Sequence, residues 1–320
     1  MTSEILHIYN FDETNEVHKI SNISELPNTG FNWIHLDATN TNIVKTLSAN
    51  SLSIDPNAQI ALLEEETRPR VVKFGAGLLM ILRGVNLNDD ADPQDMISLR
   101  FWVEGRNIVT IRRRKLKAVQ DIVQNIENKK LPNSIGDILC QLVERLAERM
   151  QPTIAGLNET TDDLEENILE NSERDYRETI LEVRKKSIIL KRHMKPQSDA
   201  LSELISLNLA WLDANHSFQL NQSANNIKRY IEDLEAIRER SQVIMDEITN
   251  KFSEKLNKNM YLFSVIAAIF LPLSFLTGLL GINVAGIPGA SDPNAFLIFC
   301  LILLAIVIVQ IVLFKKFKWF

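Results

Sequence analysis

Residues 260–281 read MYLFSVIAAIFLPLSFLTGLLG, a run without one charged side chain. As a helix it measures roughly 33 Å at about 1.5 Å per residue, enough to cross the hydrocarbon core of a bilayer. A second uncharged run, residues 295–314, gives roughly 30 Å and stops at Lys315, Lys316 and Lys318. Nothing before residue 259 is apolar for long enough to do the same, so these two runs define the membrane part. Lys251, Lys255 and Lys258 precede the first span, and no Lys or Arg lies between Ile282 and Asn294. The positive-inside rule therefore sets both termini in the cytoplasm and the short loop outside, with Phe317 and Trp319 as interfacial anchors. Met1-Thr2-Ser3-Glu4 leads directly into a strand-like pattern and has no signal-peptide character, so the front part is expected in the cytosol.

Outward from the spans, the chain divides into an expected α+β cytosolic domain (1–132), long helices and stalk (133–258), and the membrane part with its basic tail (259–320). Segments Ile5 to Phe11, Phe31 to Leu36, Val71 to Val85 and Met96 to Ile111 are rich in β-branched and aromatic residues. Thr41 to Asn50 and Pro56 to Glu66 read as short helices, and the sheet is expected to be antiparallel or mixed. Gly75-Ala76-Gly77 interrupts a strand pattern and predicts a bulge. After Pro132 the period becomes helical: Ile138, Leu142, Leu146 and Met150 recur every four residues, and Leu157, Leu164, Ile168 and Leu169 extend the stripe. A second helix runs from Tyr176 to His193, where Pro196 predicts a break. From Ser217 no Pro or Gly occurs until Pro272, about 80 Å of helix, too long for the interior of a globule this size.

A net charge of -6 argues against nucleic acid as a partner. The two cysteines, Cys140 and Cys300, have no CxxC or zinc-knuckle spacing. No GxGxxG, phosphate loop, GxSxG or HExxH is present, which argues against an enzyme. Arg112-Arg113-Arg114-Lys115 admits a nucleotide or lipid patch, against a solvated edge or pairing with acids elsewhere. Glu159, Asp162, Asp163, Glu165, Glu166, Glu170, Glu173 and Asp175 form an acidic run with little basic compensation: either a solvated face or a collar that concentrates divalent cations. His7, His18 and His35 have no metal-ligand spacing, and His193 and His216 fall in the helices.

In steps of three and four, Ser253, Asn257, Met260, Ser264, Ala267, Leu271, Ser274 and Gly278 make a small or polar stripe along the first span. Its other faces carry Leu262, Phe263, Ile266, Ile269, Phe270, Leu273 and Phe275. In lipid such a stripe packs against another helix or lines water. Two spans enclose no pathway, so a pore requires an oligomer with this helix at its axis. Asn283, beyond Gly278 and Gly281, would then give a ring of carbonyl oxygens suited to the water shell of a divalent ion, although Asn after a helix-terminal Gly also serves as a plain cap.

The string Ile269-Phe270-Leu271-Pro272-Leu273-Ser274-Phe275-Leu276-Thr277-Gly278-Leu279-Leu280-Gly281-Ile282-Asn283 resembles the signature of the CorA superfamily of divalent-cation transporters, whose first span ends in Gly-Met-Asn. The resemblance extends over the whole chain and implies a funnel-shaped homopentamer with the long helix lining a central pore. Two departures point within the superfamily. Ile282 replaces Met, and Val284-Ala285-Gly286-Ile287-Pro288-Gly289 stands where magnesium transporters typically carry Pro-Glu. Both look like the zinc-transporting ZntB branch, for which proton-coupled uptake is proposed. Carried over by position, Gly281, Ile282 and Asn283 form the outer filter, Ser274, Leu271, Met260 and Asn257 line the pore, and Asp246 in the stalk is a candidate metal ligand; the stripe adds Ala267 and Ser264 to the pore lining, and Asp292, the one ionised group of the loop, is a second candidate ligand. The implied cargo is zinc, with magnesium or another divalent cation as the alternative, and no resident cofactor. The implied location is the inner membrane. The missing His or Cys on the stripe argues for a hydrated ion or oxygen ligands, and the rival reading is a membrane-anchored sensor or scaffold.

Overall fold

Alternating apolar residues in the first 112 positions build one seven-stranded sheet in the computed structural model of the chain, which describes residues 4–14, 16–52, 54–170, 176–282, 287, 289 and 292–317. The strands are β1 (Ile5–Phe11), β2 (Val17–Lys19), β3 (Phe31–Asp37), β4 (Arg70–Phe74), β5 (Gly77–Gly84), β6 (Ile97–Glu104) and β7 (Asn107–Arg112). Their order is β2-β1-β3-β7-β6-β5-β4. Every neighbouring pair is antiparallel except β3 and β7, which run parallel with Trp33 opposite Ile108 and His35 opposite Thr110. The sheet is thus mixed, within the range the sequence allowed.

One face carries Ile8, Ile34, Leu36, Leu79, Ile81, Trp102, Val109 and Ile111, packed under α1 (Ile43–Leu47) and α2 (Pro56–Leu63). Asp55 starts α2 by accepting from the N–H groups of Asn57 and Ala58, with Pro56 in the first turn, where its missing N–H costs nothing. On the other side, α4 (Ile135–Glu148) lies against β3 and β5, and α6 (Arg177–Ser206) against β4 and β5. Against α4 packs α3 (Lys117–Glu127), which buries Ala118, Val119, Ile122 and Ile126 on one face. Sequence reading assigned no helix there, although the spacing of those four residues carries the signal. The remaining helices are α5 (Gln151–Glu170), α7 (Ala214–Leu280) and α8 (Ala295–Lys316).

Two sequence expectations are corrected. Gly75-Ala76 is a two-residue turn, with Phe74 paired to Gly77 and Gly75 at φ 58°, so the expected bulge is a hairpin joining β4 to β5. Helix α6 does not stop at Pro196 but passes through it. The lost donor belongs to the carbonyl of Arg192, an exposed residue where water can substitute, while Met194, Gln197, Ala200 and Leu201 anchor both sides of the proline in the core.

Gly30, before β3, has φ 66°, and a Cβ there would fall 1.9 Å from the Phe11 carbonyl oxygen. Gly30→Ala therefore combines left-handed strain with a backbone clash and is expected to cost at least about 2 kcal/mol in denaturant unfolding, with the β1–β3 register most affected. An unchanged midpoint would contradict this.

The chain forms two compact units, residues 1–245 and 246–320, with α7 contributing to both. The second unit is α7 beyond Asp246 together with α8. Both helices are long and apolar enough to cross a membrane, and almost nothing in their apolar windows is buried within the chain.

Candidate functional site

The stripe lies on the uncovered side of α7. Val265 is buried, and Ala268, Ile269, Leu273 and Leu276 are half-buried; these follow the same three-and-four spacing as Phe299, Leu303, Ile306, Val307, Gln310 and Phe314 on α8. At about 100° per residue, that α7 face is roughly 140° round the helix from the Met260–Leu271 line. Asn257, Met260, Ser264, Ala267, Leu271 and Ser274 are all exposed, as are Leu262, Phe263, Ile266, Phe270 and Phe275 on the other faces. Met260 and Leu271 are the bulky members, at 66% and 69% exposure, and a ring of either would narrow a pathway.

The hydroxyls on α7 are partly committed. Ser264 Oγ donates to the Met260 carbonyl at 2.9 Å, and Thr277 Oγ1 donates to the Leu273 carbonyl at 3.0 Å. Each bond uses the hydroxyl proton and leaves oxygen lone pairs outward, so at Ser264 the stripe presents an acceptor, the polarity a hydrated cation needs.

Helix α7 ends at Leu280, with the Gly281 N–H still donating to the Thr277 carbonyl at 2.9 Å. A Cβ at Gly281 would come within 2.8 Å of that oxygen, so the tight last turn needs glycine. Ile282 is exposed, while Asn283 and the loop residues Val284, Ala285, Gly286 and Pro288 lie outside the described residues. Asp292 is exposed, and its Oδ1 accepts from the Asn294 N–H at 2.8 Å at the entry to α8. Asp246 is exposed on α7, in line with Asn257 and Met260.

Several charged groups of the first unit are tied into the fold. Arg240 of α7 reaches across to α5, bonding Asp162 at 2.5 Å and both Glu165 oxygens at 2.7 and 2.8 Å. The hydrogen bond from Arg240 holds the Glu165 carboxyl below its usual range. The acidic run is therefore compensated by a basic residue distant in sequence, with Glu159, Asp163 and Glu166 left exposed and Glu173 and Asp175 outside the described residues. In the basic run, Arg113 donates to the Leu63 carbonyl at 2.8 Å and stands 3.6 Å from Glu65, while Arg112 lies 3.9 Å from Asp37. Pairing with acids, the second of the two sequence readings, describes these contacts.

The histidines are built in. His216 is buried, its Nε2 2.9 Å from Asp137 Oδ1 and its Nδ1 2.9 Å from Asp213 Oδ1, so it ties the starts of α4 and α7 together. Asp12, Glu16 and His18 bring three ligand atoms within 4.8 Å of one another on the β1–β2 hairpin. Asp12 Oδ1, however, already accepts from the Thr14 and Glu16 N–H groups and from the Thr14 hydroxyl, and Oδ2 meets His18 at 2.9 Å. These donors, Glu16 first, hold the Asp12 carboxyl well below its usual range; the group closes a turn.

Comparison with known proteins places this geometry. The family model for CorA-like Mg2+ transporter proteins matches residues 28–316. The chain is 37% identical over 290 residues to the divalent cation transporter CmaX of Pseudomonas aeruginosa, covering 90% of this chain and 87% of that one. It is 33% identical over 317 residues to the zinc transport protein ZntB of Pectobacterium atrosepticum, covering 99% and 96%. The solved structure of full-length CmaX superimposes with a TM-score of 0.85 at 33% identity, covering 98% of each chain. A transporter fold with two apolar C-terminal helices, matched nearly end to end, leads to one conclusion: the chain belongs to the CorA-like family of divalent-cation transporters and is a membrane protein, not an enzyme.

Proposed function

We propose that the chain assembles as a funnel-shaped homopentamer in the inner membrane, with both termini cytoplasmic, and takes up zinc through a pore lined by α7. The observation that carries this reading is the small and polar stripe from Asn257 to Ser274, exposed on the side of α7 away from α8. An apolar membrane anchor has no use for such a face, which argues against the sensor reading. Five copies turned inward would line water with Ser264 and Ser274, while Met260 and Leu271 form apolar rings that open by wetting. Gly281, Ile282 and Asn283 serve as the outer filter, and Asp246 and Asp292 attract the ion from either end.

Zinc is favoured by the Gly-Ile-Asn sequence and by the resemblance to ZntB. Magnesium is the second reading, favoured by the family description and by a stripe whose donors are oxygens, with no His or Cys from Asn257 to Ser274. Either ion would pass with much of its water shell.

Uptake into proteoliposomes separates the two. Zinc flux exceeding magnesium flux at least about tenfold, and rising when a proton gradient is imposed, is the expected result, a difference of only about 1.4 kcal/mol between the ions. Magnesium flux driven by voltage alone, without zinc flux, would reassign the cargo and remove protons from the cycle.

A further inference from the structure

Pro272 stands inside α7 and takes a donor away from it. Its nitrogen carries no hydrogen, so the Ala268 carbonyl, four residues earlier, loses the donor that a regular helix would give it. In hydrocarbon no water replaces that donor. The replacement comes from α8, where Gln310 Nε2 donates to the Ala268 oxygen at 3.2 Å. A carbonyl only accepts, so the amide nitrogen must be the end facing it. Apart from Cys300, Gln310 is the one polar side chain from Ala295 to Phe314, and it points at the one carbonyl on α7 that a proline frees. Its other end, Oε1, is buried with no partner among the described residues, a cost that a glutamine placed there by chance would not repay.

We propose that Gln310 is a positioning residue for transport: its carboxamide replaces the N–H lost at Pro272 and so holds the Ala267–Ser274 stretch of α7 in one helical register against α8. The effect on flux rests on α7 being the ion pathway; the hydrogen bond does not.

The test is a cycle of full-length proteins: wild type, Gln310→Met, Pro272→Ala and the double variant. Pro272→Ala restores an N–H that satisfies Ala268 from within α7, making the glutamine dispensable. With Pro272 present, Gln310→Met is expected to lower the zinc uptake rate about three- to twentyfold at unchanged half-saturating zinc. In the Pro272→Ala background the same change should alter the rate by less than about twofold. Thermal unfolding of the solubilised proteins should follow the same non-additive pattern. An equal effect of Gln310→Met in both backgrounds, or none in either, overturns the proposal, as does coupling seen in unfolding but not in uptake. If Gln310→Met alone is not recovered folded, recovery of the double variant supports the proposal and its failure overturns it. Absence of zinc flux in the wild type would sink the zinc reading instead, and magnesium then serves as the probe in the same cycle.

Discussion

Asn283→Ala is expected to cut divalent-cation uptake at least about a hundredfold while the protein still assembles and keeps its melting temperature. The residue follows directly on Ile282, at the exposed end of α7. A hydrogen bond to a charged or strongly polarised partner contributes about 1.5–3 kcal/mol, and a ring of identical subunits loses the contact in every copy at once. Two such losses already exceed about 2.7 kcal/mol, the equivalent of a hundredfold. Assembly should survive, because on the proposed reading Asn283 acts on the passing ion and not on the contacts that hold the protein together. Flux through reconstituted protein, with the oligomer checked by light scattering in detergent, decides the matter; uptake at the wild-type rate would remove Asn283 from the filter.

Acidification from pH 6.5 to pH 4 is expected to destabilise the first unit, residues 1–245, steeply, with His35 the largest single contributor. His35 sits on β3 at 1% exposure, its Nδ1 2.9 Å from Thr110 Oγ1 and its Nε2 without a partner among the described residues. Burial, reinforced by the charges of Arg112 and His7, depresses its pKa to about 3. Between about pH 3 and 6.5 the unfolded chain therefore binds a proton that the folded chain refuses. Stability is full above the unfolded value and falls as pH drops, by about 3 kcal/mol at pH 4. His193, lowered to about 4 by burial and by Arg83, Arg192 and Arg68, acts in the same direction. His35→Phe keeps an aromatic ring between His7 and Trp33 but removes the titration, so its melting temperature should decline less steeply with acid. An identical pH slope in that variant would assign the acid lability elsewhere.

What could be read in advance follows from which interactions are local. The spans, the strand β1 and the stripe from Asn257 to Ser274 are properties of consecutive residues, and periodicity alone reveals them. The bond from Arg240 to Asp162 and Glu165 is not such a property, because the partners are 75 and 78 residues apart; the acidic run looked uncompensated for that reason. Pro196 looked like a break because local preference counts one lost hydrogen bond and not the buried side chains around it. Gln310 went unnoticed within an apolar span, since its meaning depends on a proline in the other helix. Asn283 is the reverse case: its role is proposed from sequence, and it lies outside the described residues.

The parallel pairing of β3 with β7 also governs how the chain is made. Trp33 and Thr110, joined by a 2.8 Å bond, are 77 residues apart. At synthesis rates of about 5–20 residues per second, β3 waits roughly 4–15 s for its neighbour to emerge. During that interval a strand whose five central residues are all destined for burial is an open edge, the kind of template on which chains pair with one another. Translation arrested before Asn107 would leave that edge permanently open, so shortened products of this gene would be a burden on chaperones rather than inert fragments.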